Sequence, residues 1–300
     1  MSSDESMSLD QRAVRRSFSA AGERYDAVAV LQKEVRERLL ERLNLFKLQP
    51  SVVLDVGCGT AHSSHQLKTQ YPSSTVIALD AALGMLQHAN ASGGWLGSKW
   101  FGGKKINRVC ADAMQLPLKS ASVDLVFSNL MLQWCDPPDK VFSEVRRVLK
   151  PDGVFIFSSF GPDTLRELRN AWSKVDSQPH VNTFIDMHDL GDAMMRAGLA
   201  EPVLDIERFT LTYPDALSLM RELKAIGAHN VAAHRQRGMT GKSALNQVIA
   251  AYEQYRQNEM LPATYEVVYG QAWGNAAPQT LHRLSSEVRI PLSDIGRRTR

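Results

Sequence analysis

Four short signals, each at the end of an apolar run, supply groups that can hold a nucleotide-type cofactor. Val52-Val-Leu-Asp55-Val-Gly57-Cys-Gly59 reads as a buried strand running into a glycine turn. Glycines at such a turn let backbone N–H groups approach a ligand closely. Asp80 ends a second apolar run about 20 residues further on, the distance at which an acid meets ribose hydroxyls. Asp112-Ala113 follow a third run, where a carboxylate can accept a bond from an adenine amino group, and Asn129 follows a fourth. The spacing is Asp-x-Gly-x-Gly, not the Gly-x-Gly-x-x-Gly of dinucleotide sites.

These groups must be placed by the elements around them. Strands are expected at 51–56, 75–80, 107–111, 123–128 and 154–159, with helices at about 61–70, 83–91 and 138–149 between them. Such alternation predicts an α/β fold with a doubly wound, mostly parallel sheet. Ligands of such sheets bind at the carboxyl ends of the strands, where the order reverses. Ahead of the sheet, Leu31, Val35, Leu39, Leu43 and Phe46 recur at helical spacing, so 11–46 is expected to be helical. Lys150-Pro-Asp-Gly153 reads as a turn and the glycine-rich 92–105 as a loop. Beyond it, helices are expected at 162–175 and 186–197, strands at 203–211 and 264–270, and helix-like sequence at 214–258.

The 300 residues are 44% hydrophobic and 22% charged, as in an ordinary globular enzyme. A net charge of +3 is too small to imply nucleic acid and permits an acidic protein partner. Cys58, Cys110 and Cys135 lie in or beside apolar runs without CxxC spacing. They are expected to be reduced, buried residues of a cytoplasmic protein. The polar start has no signal-peptide core, and no apolar run is long enough to span a membrane. No metal is expected: His62 and His65 lie three apart without a third ligand and read as surface or capping residues.

The strand-tip series resembles the S-adenosylmethionine pocket of class I methyltransferases. It departs from the common pattern at Ala61, where a third glycine is usual. The sequence after strand four, Ser128-Asn-Leu-Met-Leu-Gln-Trp134-Cys135, has neither the Pro-Pro-aromatic signature of nucleobase amino methylation nor the Pro-Cys pair of cytosine methylation. Further segments are Arg15-Arg-Ser-Phe-Ser-Ala-Ala, Tyr25-Asp26, Gln32, Pro179-His-Val-Asn182, Met220-Arg-Glu-Leu-Lys-Ala-Ile-Gly227 and Pro262-Ala-Thr-Tyr265. Together they resemble the malonyl-[acyl-carrier-protein] O-methyltransferase family of biotin synthesis, over about residues 12–275. Two relatives of that family remain alternatives: a small-molecule or quinone methyltransferase, and the complex I assembly factor that hydroxylates an arginine.

The resemblance implies a seven-stranded sheet with an antiparallel edge hairpin. It implies a helical cap at 1–46 and a methyltransferase domain at 47–275 with a helical lid at 213–260; the 276–300 tail lies outside the resemblance and is expected to be a flexible end. The cofactor set becomes Tyr25, Gln32, Asp55, Gly57, Gly59, Asp80, Met85, Asp112, Ala113 and Asn129, with Asn129 under the methionine part. Phe18 and Tyr25 would close over the cofactor, the Tyr25 hydroxyl reaching the methionine carboxylate. Tyr25 and Arg221 are the candidate catalytic residues, Arg221 as a partly desolvated clamp on the acceptor carboxylate. Such a carboxylate is already ionised near neutral pH, so no general base is needed. The partner is an acidic acyl carrier protein, for which Arg12, Arg15, Arg16, His234, Arg235 and Arg237 are docking candidates with no expected part in cofactor binding.

Overall fold

The computed structural model describes residues 9–89, 106–228 and 241–274. Seven strands form one sheet: β1 Val52–Val56, β2 Thr75–Asp80, β3 Ile106–Cys110, β4 Val123–Asn129, β5 Leu149–Phe160, β6 Ala200–Tyr213 and β7 Leu261–Trp273. Their order is β3-β2-β1-β4-β5-β7-β6, with the first five parallel and β7 antiparallel to both neighbours. The order reverses between β1 and β4, so the crevice of the sheet opens between Val56 and Asn129. The expected edge pair is present and longer than the sequence suggested, running in register from Val203↔Gln271 to Tyr213↔Leu261. Lys150–Gly153 is a bulge inside β5 instead of a turn before it: pairing with β4 jumps from Val123↔Leu149 to Leu125↔Val154.

Nine α-helices lie among the described residues: α1 Gln11–Val28, α2 Val30–Arg42, α3 His62–Gln70, α4 Leu83–His88, α5 Pro138–Val148, α6 Arg166–Ser173, α7 Met187–Arg196, α8 Ala216–Ala225 and α9 Lys242–Tyr252. The single helix expected over 11–46 is two. Asp10 caps α1 by accepting from the Ala13 N–H at 3.0 Å. The chain breaks at Ala29, whose N–H still bonds Tyr25 O while its ψ of 52° leaves helical space. This break frees α1 to lie over the strand tips while α2 packs on the sheet.

Side-chain alternation along the strands separates two cores. Leu125, Phe127, Val154 and Ile156 meet Leu31, Val35 and Leu39 of α2 on one face. Val126, Phe155 and Phe157 meet Val141, Phe142 and Val145 of α5 on the other. Each such fully buried side chain contributes roughly 1.5–3 kcal/mol. The segment between β6 and β7 brings α8 and α9 to the first face, where Leu219, Val248 and Tyr252 are fully buried. The expected loop at 92–105, the tail at 276–300 and the basic residues His234, Arg235 and Arg237 lie outside the described residues.

Candidate active site

The glycine turn after β1 is built for close approach. Gly57 has φ +73°, and a Cβ there would lie 2.2 Å from Met131 Cγ. Its N–H and that of Cys58 both donate to Leu79 O, at 2.8 and 3.0 Å, which ties the turn to the end of β2. Ala61 begins α3 with φ +65°, a conformation that glycine adopts more easily. The departure from the usual glycine therefore costs backbone strain at this turn.

Asp55 is a correction. Expected among the cofactor ligands, it lies beneath the turn, fully buried, and lines neither of the two compartments around that turn. Its Oδ2 accepts from Ser64 Oγ of α3 at 2.5 Å, and its Oδ1 has no partner among the described residues. Burial pushes its carboxyl up to about 7, against the Ser64 bond and with help from the nearby charge of Asp80. Asp55 thus positions α3 and the turn.

Asp80 holds the turn from the other side. Its Oδ2 accepts from Gly59 N–H at 2.9 Å and its Oδ1 from Ala82 N–H at 2.7 Å. Burial raises its pKa, and the backbone bonds from Ala82 and Gly59 act against that. Asp80 lines a compartment of about 100 Å³ with Phe18, Tyr25, Gly57, Gly59, Met85, Asp112, Ala113, Asn129 and Trp134. A second compartment of about 470 Å³ shares Tyr25, Gly57, Gly59 and Asn129 with the first and adds Gln32, Arg36 and Thr60. The two form one trench wrapped around the glycine turn. The sequence-expected residues Tyr25, Gln32, Gly57, Gly59, Asp80, Met85, Asp112, Ala113 and Asn129 all line it.

Helix α1 straps this trench. Arg15 Nη2 donates to Asp112 Oδ2 at 2.6 Å, and Phe18 packs edge-on against Trp134 at 5.1 Å. Asp26 accepts from Thr60 Oγ1 at 2.6 Å and meets His62 Nε2 at 3.0 Å. Midway, α1 crosses α4 so closely that a Cβ on Gly84 would lie 2.3 Å from Ser19 O. Burial raises the Tyr25 pKa, and the charges of Asp80 and Asp26 raise it further, so its hydroxyl stays a hydrogen-bond donor. Arg15, expected only as a docking residue, also lines the trench. Arg12 and Arg16 are exposed.

A separate, mostly apolar cavity of about 200 Å³ adjoins the trench. Trp134 lines both it and the Asp80 compartment, and Gln32 lines both it and the Arg36 compartment. Asn129 fixes that boundary: its Nδ2 donates to Gln32 O at 3.0 Å while its Oδ1 accepts from Ser158 Oγ at 2.9 Å. The far walls come from α6 (Leu168, Trp172), the segment after it (His180, Asn182, Phe184), α8 (Met220, Glu222, Leu223) and Tyr265 of β7.

Arg221 is a further correction. It is exposed and does not line this cavity. The inward stripe of α8 runs through the buried Ala216 and Leu219 and the partly buried Leu223 toward Ile226 at the C-cap, and Arg221 lies off it with Leu217 and Lys224. Its visible role is to bear on Asp215, whose carboxyl is held below the usual range mainly by bonds from Ser218 and in small part by the Arg221 charge. Of the cysteines, Cys58 and Cys135 are buried as expected, while Cys110 is exposed at the end of the edge strand β3.

Arg36 and His180 are among the contributors that the sequence did not single out. Arg36 lines the trench with its Nε buried and without a partner among the described residues. Its spacing of four from Gln32 on α2 was the available signal. His180 stands within the Pro179-His-Val-Asn182 segment, where nothing local places it in a site, yet it lines the cavity.

The trench fits S-adenosylmethionine on its own chemistry: an acid for ribose, a glycine cradle a Cβ would fill, and an orphaned guanidinium N–H. A family profile described as "Methyltransferase domain" matches residues 54–157. The "Malonyl-[acyl-carrier protein] O-methyltransferase" of Methylovorus sp. (strain MP688) is 54% identical over 265 residues, covering 88% of this chain and 89% of its own. The protein of the same name from Halorhodospira halophila is 45% identical with both chains covered in full. Among solved structures, a putative methyltransferase from Bacillus halodurans superposes with a TM-score of 0.56 at 16% identity, over 79% of this chain and 98% of that one, a likeness of fold. With relatives this similar across nearly the whole length, the chain belongs to the malonyl-[acyl-carrier protein] O-methyltransferase family of class I, S-adenosylmethionine-dependent methyltransferases.

Proposed function

We propose that the protein methylates the free carboxylate of malonyl-[acyl-carrier protein], giving its methyl ester, as a step toward biotin. The observation that carries this reading is the pair of sites sharing Gln32 and Trp134: a trench that carries Asp80, Asp112 and Arg36, beside a mostly apolar cavity. The cofactor supplies an electrophilic methyl on a sulfonium. In the trench, Asp80 would accept hydrogen bonds from the ribose hydroxyls, Asp112 and Ala113 would take the adenine, and Arg36 and Tyr25 would hold the methionine carboxylate. Gln32 and Trp134 stand where the two sites meet, and would align the acceptor oxygen with the methyl. Leu31, Phe160, Leu168, Leu223 and Ile226 line the cavity and exclude water, which favours a step in which cation and anion neutralise each other. The carboxylate is ionised already, which agrees with the absence of a general base among the roles assigned. The lid role of α8 and α9 belongs to this proposal, since α8 forms one cavity wall. So does a cytoplasmic location, in keeping with three free cysteines. No helix among the described residues is long and apolar enough to cross a membrane.

Incubation with methyl-labelled S-adenosylmethionine and malonyl-loaded carrier protein tests the reading. Label recovered as an ester that mild base releases is expected. Label on carbon, or an oxygenated product without label, would point to the alternative activities.

A further inference from the structure

His180 is the one side chain among the described cavity-lining residues that can carry positive charge. Its ring is fixed on two sides. It stacks on Trp172 with centroids 3.7 Å apart and planes 12° from parallel. Its Nε2 donates to Asp176, 2.9 and 3.0 Å from the two oxygens. Nδ1 is then the ring nitrogen not committed to Asp176, and it becomes a donor when the ring is doubly protonated. Two residues on, Asn182 lines the same cavity with its Oδ1 buried and without a hydrogen-bond partner among the described residues. A buried amide end left unpaired is a cost that a ligand can relieve, either by donating to it or by drawing the NH2 group round in its place. On another wall, Glu222 of α8 accepts from Tyr213 Oη at 2.8 Å and presents a carboxylate to the cavity. Like charge turns an anionic acceptor away from Glu222 and toward the His180 side. Arg221, exposed and outside the cavity, leaves this task open.

We propose that His180, fixed by Trp172 and Asp176, is a specificity-determining residue that receives the acceptor's free carboxylate, with Asn182 as its second contact. The proposal rests on the malonyl reading above and names the groups that recognise the acid.

The test compares binding of malonyl-loaded and acetyl-loaded acyl carrier protein, calorimetrically, with S-adenosylhomocysteine present. The two loads differ in the carboxylate alone. Wild-type enzyme is expected to prefer the malonyl form by roughly 10-fold or more. His180→Gln keeps a polar side chain, and His180→Phe keeps a ring to stack on Trp172. Both are expected to bind the two loads alike while retaining wild-type affinity for S-adenosylhomocysteine, which also verifies folding. A folded variant of either kind that keeps the malonyl preference overturns the assignment of His180. Wild-type enzyme that shows no preference overturns the malonyl reading itself.

Discussion

Arg15 Nη2 lies 2.6 Å from Asp112 Oδ2, and this bond fastens the N-terminal helix to the segment after β3 across the cofactor trench. The two groups are 44% and 31% exposed, so the bond itself adds only about 0–1 kcal/mol to stability. Its weight lies in what it closes. Arg15→Glu sets two carboxylates face to face there and is expected to lower S-adenosylmethionine affinity by roughly 10-fold, about 1.4 kcal/mol, with the melting temperature nearly unchanged. Calorimetry showing wild-type cofactor affinity would mean that α1 does not strap the trench.

Asp80 offers a sharper loss. A charge-assisted hydrogen bond contributes roughly 1.5–3 kcal/mol, so Asp80→Ala should weaken cofactor binding about 10- to 150-fold. The same variant also frees the Gly59 and Ala82 N–H groups that Asp80 now holds. Because burial raises the Asp80 pKa, acidification should protonate it at a higher pH than an ordinary carboxylate. Cofactor affinity should therefore decline from that higher pH downward in the wild type, and much less in Asp80→Ala.

The crossing of α1 over α4 has no room for a methyl group. At Gly84 an added Cβ meets the backbone of Ser19, which cannot swing aside as a side chain can. Gly84→Ala should lift α1 from the trench: cofactor affinity falls at least 10-fold, while the sheet melts near its usual temperature. Unaltered affinity would show that the crossing is looser than described.

Asp55 should leave its mark on stability versus pH. Its pKa rises from 3.8 toward about 7 on folding. The folded protein therefore holds a proton there that the unfolded chain releases above its ordinary carboxylate pKa. The resulting stability is fully present below about pH 4 and is lost as pH rises through about 7. Melting curves from pH 4 to 8 should show wild type declining relative to Asp55→Asn across that window. A constant difference between the two would mean that Asp55 is ionised in the folded state.

Much of the site was legible because its signals are local. Gly57, Asp80, Asp112 and Asn129 each follow an apolar run whose period marks a strand end, and a parallel sheet brings strand ends together. The failures were of direction and of long-range contact. A carboxylate at 55 reads the same whether it faces the trench or, as found, Ser64 behind it. Arg221 sits beside apolar residues in the sequence, yet the inward stripe of α8 passes through the buried Leu219 and the partly buried Leu223 instead. The Arg15–Asp112 pair joins residues 97 apart, beyond the reach of any periodicity. Nothing local told a strap residue from a docking residue.

The central claim is that the cofactor trench and the acceptor cavity meet at Gln32 and Trp134. A crystal structure with S-adenosylhomocysteine and a malonyl thioester tests it most directly. The expected result has ribose on Asp80, the cofactor sulfur facing the Gln32–Trp134 boundary, and the malonyl carboxylate beyond it in the cavity beside His180. A sulfur turned away from that boundary, or a malonyl group bound elsewhere, would contradict it.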